Sequence, residues 1–257
     1  MKRIFGIGFV LLCLLVAAVP SHATVASDVN AGKPMNNIFQ DALKSGLNND
    51  QIVQQAIQAG AAPSAVVKAA LQAGAPAAAV TTAAIRVGAP PAIVACEAVM
   101  AQAGAAAQVV TAALQARPDA GSFIVGAAVR CAPTQAGPIV TAAIKAGMPA
   151  ASVVTAAIGS GGSPMIVVQA AIAADKTYAR MIVKAAIESG GAPQMVSDAA
   201  LRAGASEADV KQGTSEAVAP TAPAGAVAGA FAAPAPPPPP GTGGGGGGGG
   251  GTASRSR

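Results

Sequence analysis

From residue 37 to residue 204 the chain sets small apolar clusters against polar residues on a beat of 14 or 15 positions. The phrase Val66-Val67-Lys68-Ala69-Ala70-Leu71-Gln72-Ala73-Gly74 shows one beat, and its leucine serves as an anchor. Equivalent anchors fall at Leu43, Ile57, Leu71, Ile85, Val99, Leu114, Val129, Ile144, Ile158, Ile172, Ile187 and Leu201. Four steps take the longer interval: Val99 to Leu114, Leu114 to Val129, Val129 to Ile144, and Ile172 to Ile187. The others take the shorter one. A period held this closely marks a repeat array.

With the anchor as position zero, positions −5 and −4 are apolar in most copies, as at Ile52-Val53, Val109-Val110 and Ile124-Val125. Position −1 is alanine before every anchor. At about 100° per residue these positions and the anchor fall in one arc of roughly 140°. Positions −3 and +1 carry Gln, Lys, Thr, Arg and Glu in most copies, and they lie only about 40° apart on the wheel. Strand alternation cannot produce two such opposed faces; a helix does.

Prolines at −8 (Pro63, Pro91, Pro164, Pro193) and −9 (Pro76, Pro149) suit a first helical turn, where a missing N–H costs nothing. Glycines at +3, such as Gly46, Gly74 and Gly161, suit a left-handed residue just past a helix end. Each unit therefore reads as a helix of about ten residues and a tight turn. A helix this short is not stable alone in water. Tight turns make successive helices antiparallel, and the apolar faces must then share a core. The expected fold is all-α: a short-helix α-solenoid of about twelve 14–15-residue single-helix repeats.

The flanks differ in character. Residues 1–23 read as a signal peptide, with Lys2 and Arg3, an apolar core from Ile4 to Val19, and Ser21-His22-Ala23 before the cleavage point. Residues 24–36 read as a polar lead-in in which Asn36 caps the first helix. Residues 37–218 form the array, closed by a polar terminal unit in which Lys211, Thr214 and Ser215 replace the expected Val, Ala and Leu. Residues 219–257, rich in Pro and then Gly, read as a disordered tail. After residue 23 no apolar run is long enough to span a membrane. Cleavage also takes Lys2 and Arg3, lowering the formal net charge by two from +5 to +3, too slight a bias to name a partner.

The chemistry is sparse. The single histidine, His22, leaves with the signal, which excludes imidazole-based nucleophile systems and histidine metal sites from the mature chain. No phosphate-binding Gly-Lys loop is present. No cofactor is expected. Nucleic acid is not expected as a partner either, since basic density and aromatic residues are both lacking.

Cys96 and Cys131 are the mature cysteines, at positions −3 and +2. They differ by about 140° around a helix and by about 7.5 Å along it, whereas a bridge requires alpha carbons within about 7 Å. This register favours separate thiols, with a disulfide as the alternative. The irregular units hold two candidate interaction patches: Arg117, Asp119 and Arg130 in one, and Lys176, Tyr178 and Arg180 beside Asp175 in the other. The bland alternative is that Asp119 and Asp175 cap the helices that follow.

These features point to an exported, non-catalytic structural or protein-interaction module in the bacterial periplasm or extracellular space. Its expected partner is an unidentified envelope or extracellular protein or polymer. Two other readings are a self-assembling or membrane-surface-associating Ala-rich helical protein and, more remotely, a histidine-independent enzyme. Oligomeric state is not encoded in any feature of the repeat.

Overall fold

The computed structural model describes residues 24–219; residues 1–23, read above as a signal peptide, and residues 220–257, read above as part of a disordered tail, lie outside the described residues. The described residues form a helical solenoid. Its helices are α1 (Val25–Asn30), α2 (Met35–Lys44), α3 (Asn49–Gln58), α4 (Pro63–Gln72), α5 (Ala77–Arg86), α6 (Pro91–Ala101) and α7 (Ala106–Ala116). They continue as α8 (Gly121–Cys131), α9 (Ala136–Lys145), α10 (Ala150–Gly159), α11 (Pro164–Ala174), α12 (Ala179–Glu188), α13 (Pro193–Arg202) and α14 (Glu207–Val218).

Each helix packs against the next and, in most cases more extensively, against the next but one. The odd-numbered helices therefore line up in one layer and the even-numbered in a second, with the core between. The repeat register explains the burial. Positions −5, −4 and −1 are buried almost throughout, from Ile38, Phe39 and Ala42 in α2 to Ile182, Val183 and Ala186 in α12. The anchor is graded: Ile85, Val99, Val129 and Ile172 are buried, Ile57 and Ile144 half-buried, and Leu201 is 42% exposed. Position zero thus sits at the margin of the core. Every +1 residue from Lys44 to Arg202 is exposed.

The two step lengths correspond to two connectors. Within each 14-residue step from Leu43 onward the glycine at +3 takes φ between 86° and 99°, as at Gly46, Gly74 and Gly190. Its N–H donates to the anchor carbonyl, and the N–H at +4 donates to the −1 carbonyl, as in Gly74 to Leu71 and Ala75 to Ala70. That pair of bonds satisfies the orphan carbonyls of the helix end. Each 15-residue step instead extends the helix to 11 residues (α6, α7, α8 and α11). The cap residues Gln102, Arg117, Ala132 and Asp175 are then extended, with φ from −137° to −155°. A three-residue 3₁₀ turn follows each.

Two details at the start differ from the sequence reading. The lead-in contains α1, which continues the register backward: Val29 stands one short step before Leu43, and Gly32 at +3 has φ 69°. Asp28 takes the −1 place, where the twelve anchors that follow have alanine, and its buried carboxylate pairs with Lys33 Nζ at 2.6 Å. The α2 cap residue is Pro34, with no side-chain hydrogen bond, so Asn36 lies inside the helix and does not cap it. A reciprocal side-chain cap does occur one helix later, between Asn48 and Gln51.

At the other end, hydroxyls replace the core side chains, and Ser197 and Thr214 share a hydrogen bond of 3.2 Å. Gly213 lets α14 sit close on α12: a Cβ there would lie 2.6 Å from the Arg180 carbonyl oxygen.

Candidate interaction surfaces

The cysteines occupy neighbouring helices of one layer, and they are joined. Cys96 of α6 and Cys131 of α8 form a disulfide, with alpha carbons 5.4 Å apart. The sequence argument for separate thiols placed both residues on one wheel. Two helices lying side by side meet through opposite sides of their wheels, so a wide angular separation is what brings positions −3 and +2 together. A stagger between the helices absorbs the axial offset. The same pairing recurs one step along: a Cβ on Gly126, at −3 of α8, would lie 2.7 Å from Ser160 Oγ, at +2 of α10. At Cys131 and Ser160 position +2 is thus a half-buried contact within a layer.

The first patch comes apart. Arg117 Nε and Nη2 both donate to the Asp119 carboxylate, each at 3.1 Å, around the 3₁₀ turn between α7 and α8. This hydrogen bonding, aided by the charge of the guanidinium, holds the Asp119 carboxyl below its usual range, and the carboxylate raises Arg117 in turn. Asp119 is spent on Arg117 and makes no cap bond to α8. Arg130 stands near the far end of α8, about 16 Å along the axis from Asp119, and does not join them.

The second patch is partly absorbed by the end of the array. Arg180 Nη1 donates to Glu216 Oε1 of α14 at 3.2 Å, so this cation helps dock the terminal helix. Asp175 accepts from the Thr177 backbone N–H at 2.9 Å and caps its 3₁₀ turn. Tyr178 remains 47% exposed beside a shallow hollow of about 350 Å³ that also touches Asp175, Met148 and Met181. Lys176 is exposed in the same turn.

Two larger concavities were not foreseen. One, about 1070 Å³, crosses the outer face of α5, α7 and α9 and is lined by alanines, Leu114, Pro118 and Pro138 together with Gln108, Thr111, Gln115, Thr141 and Lys145. A second, about 540 Å³, crosses α6, α8 and α10 around the disulfide. Beside it stand Ile93, 47% exposed, and Phe123, 75% exposed. Both side chains are at position −6, which lies about 20° from +1 on the wheel. The wheel therefore predicts their exposure, and a tally of that position would have found the apolar break in the polar stripe. Among the described residues, no group of three or more His, Cys, Asp and Glu could hold a metal ion, and no helix is long and apolar enough to cross a membrane.

The class these observations define is a two-layer helical solenoid of single-helix repeats, crosslinked once between neighbours of one layer. No protein-family model matches the chain. No curated protein matches it either.

Proposed function

We propose that this chain is an exported structural or protein-interaction module that works without catalysis. The observation that carries the reading is the division of labour in the repeat. Positions −5, −4 and −1 are consumed by the core, while −6 and +1 are turned outward on helix after helix, leaving broad open faces. Extended repeat surfaces of this kind suit partner binding. The groove over α5, α7 and α9 offers amides, hydroxyls and one lysine over a floor of small residues, a lining suited to hydrogen-bonding an extended chain. The Cys96–Cys131 bond supports an oxidising compartment, in keeping with the signal-like segment 1–23.

The test is fractionation of cells followed by crosslinking in place and thiol labelling. The expected outcome is a protein outside the cytoplasm, with Cys96 and Cys131 unreactive until reduced, crosslinked to an envelope or extracellular protein or polymer. A reduced, cytoplasmic protein would overturn the reading.

A further inference from the structure

The face around the disulfide carries a feature that neither the core nor the repeat requires. Phe123 is 75% exposed, although the described residues contain only one other phenylalanine, the fully buried Phe39. Ile93 and Met100 are 47% and 61% exposed on the neighbouring α6, and Met100 Sδ lies 3.8 Å from Cys96 Sγ. Ile93 and Phe123 line the hollow of about 540 Å³ together with the small residues Gly126 and Ala127. A large apolar knob and a hollow able to take one thus share a single face. Glu97 and Arg130, which also line the hollow, belong to none of the ion pairs among the described residues.

We infer that this face docks a second copy of the same chain. The argument is self-complementarity, which a two-fold contact demands: if one residue meets another, the reverse contact must form as well. The disulfide holds Cys96 and Cys131 at about one level, so their chain neighbours Glu97 and Arg130, one residue to either side of it, stand about 3 Å apart along the axes of adjacent parallel helices, within reach of two long side chains. A two-fold axis running between α6 and α8, along their length, lays each α6 over the partner's α8. Glu97 then faces the partner's Arg130, and the pairing occurs twice. The same operation swings Phe123 toward the N-terminal turn of the opposing α6, where Ile93 and the hollow receive it, again twice. Opposite charges and knob with hollow are thus matched by one operation.

The face spans three helices, about 15 Å by 28 Å or roughly 400 Å² in projection. That is below the ~800 Å² per partner of a standard interface, so the dimer is weak and reversible. It rests on the interaction-module reading and names one partner for it.

Sedimentation of the chain, purified without reductant, across a wide concentration range tests the inference. The unaltered protein should pass from monomer to dimer as concentration rises. Phe123→Asp should stay monomeric with unchanged helical circular dichroism, as substitution of so exposed a side chain allows. Glu97→Arg should weaken association at least tenfold, and adding Arg130→Glu to it should restore the dimer. Should Phe123→Asp lose helicity, the charge pair carries the test alone. A chain that remains monomeric at its solubility limit, or a dimer indifferent to both substitutions, overturns the inference. Either result leaves export and partner crosslinking in cells standing, so the two readings fail separately.

Discussion

The array has two kinds of neighbourhood, and one residue separates them. From α2 to α6, from α9 to α11 and from α12 to α14, helices of ten residues or so hand over through a left-handed glycine. From α6 to α9, and again between α11 and α12, an extra residue lengthens the helix and the chain leaves through an extended cap and a 3₁₀ turn. The core is the same in both: Val67 and Val125 occupy −4 and are both fully buried. What changes is the outside. The disulfide, Phe123, the Arg117–Asp119 pair and most of the broad groove lie between α6 and α9. The array keeps its interior constant and spends its irregularity on its surface, where solenoids present what they bind.

If the irregular block is fastened differently, removing its fastening should produce the largest effect. Cys96 and Cys131 close a loop with a sequence separation of 35. The chain-entropy relation gives about 4 kcal/mol for such a loop, an upper figure because neighbouring repeats already restrict the chain. Cys96→Ser with Cys131→Ser should lower the denaturant midpoint markedly. Faster hydrogen exchange should appear in α6 to α8 and not in α2 to α4, because repeat arrays lose stability locally. Uniform loss along the whole array would contradict the contrast between the two neighbourhoods.

The connectors provide the next test. Gly74 has φ 86° and an open space where a Cβ would go, so any penalty for a side chain there is one of backbone strain alone. Gly74→Val should cost about 1–2 kcal/mol. Gln102→Val, in the corresponding place of a 15-residue step at φ −137° and only half-buried, should cost far less, since extended backbone accepts β-branched residues. Paired thermal melts measure the difference, and equal losses would show that both connectors have the same backbone needs.

The fold was legible in the sequence because the repeat supplies a dozen copies of each decision. The apolar positions, the glycine stops and the polar closing unit are all readable from spacing. Even the two connectors were foreshadowed, since the four 15-residue steps lack glycine at +3. The candidate surface was much less legible. Single-helix geometry says which side of a wheel a residue occupies, but a layer brings opposite sides together, and so Cys96 and Cys131 were separated on paper and joined in the fold. Arg117, Asp119 and Arg130 look adjacent along the irregular stretch, yet α8 intervenes. Arg180 appeared free until α14 brought Glu216 to it. Helix α1 escaped notice because Asp28 occupies the −1 place, and its pairing with Lys33 becomes visible only once both are located.

A smaller effect of opposite sign probes the shared core. Thr81 stands at −4 in α5, fully buried, and its hydroxyl has no hydrogen-bond partner. Val110, Val125 and Val140 hold the same place in the 15-residue units. Threonine and valine share a shape, so Thr81→Val removes an unpaired polar atom without opening a cavity. It should stabilise the array by about 1 kcal/mol, read as a higher denaturant midpoint. A loss would mean that the hydroxyl has a partner and that the core is not the same in the two neighbourhoods.

The smallest effect should come from the most conspicuous ion pair. Arg117 and Asp119 meet through two hydrogen bonds of 3.1 Å, but both side chains are open to solvent. An exposed pair is screened by water and salt and contributes little net stability. Asp119 is lowered chiefly by its hydrogen bonds to Arg117, so its contribution is present at neutral pH and disappears as pH falls through its depressed folded value. A carboxyl titration by NMR should place its midpoint below the ordinary aspartate range, and added salt should move that midpoint upward. Asp119→Asn should leave the melting temperature where it was. A clear drop would mean that the pair sets the path of the 3₁₀ turn, and the irregular connectors would then depend on side chains where the glycine connectors depend on backbone alone.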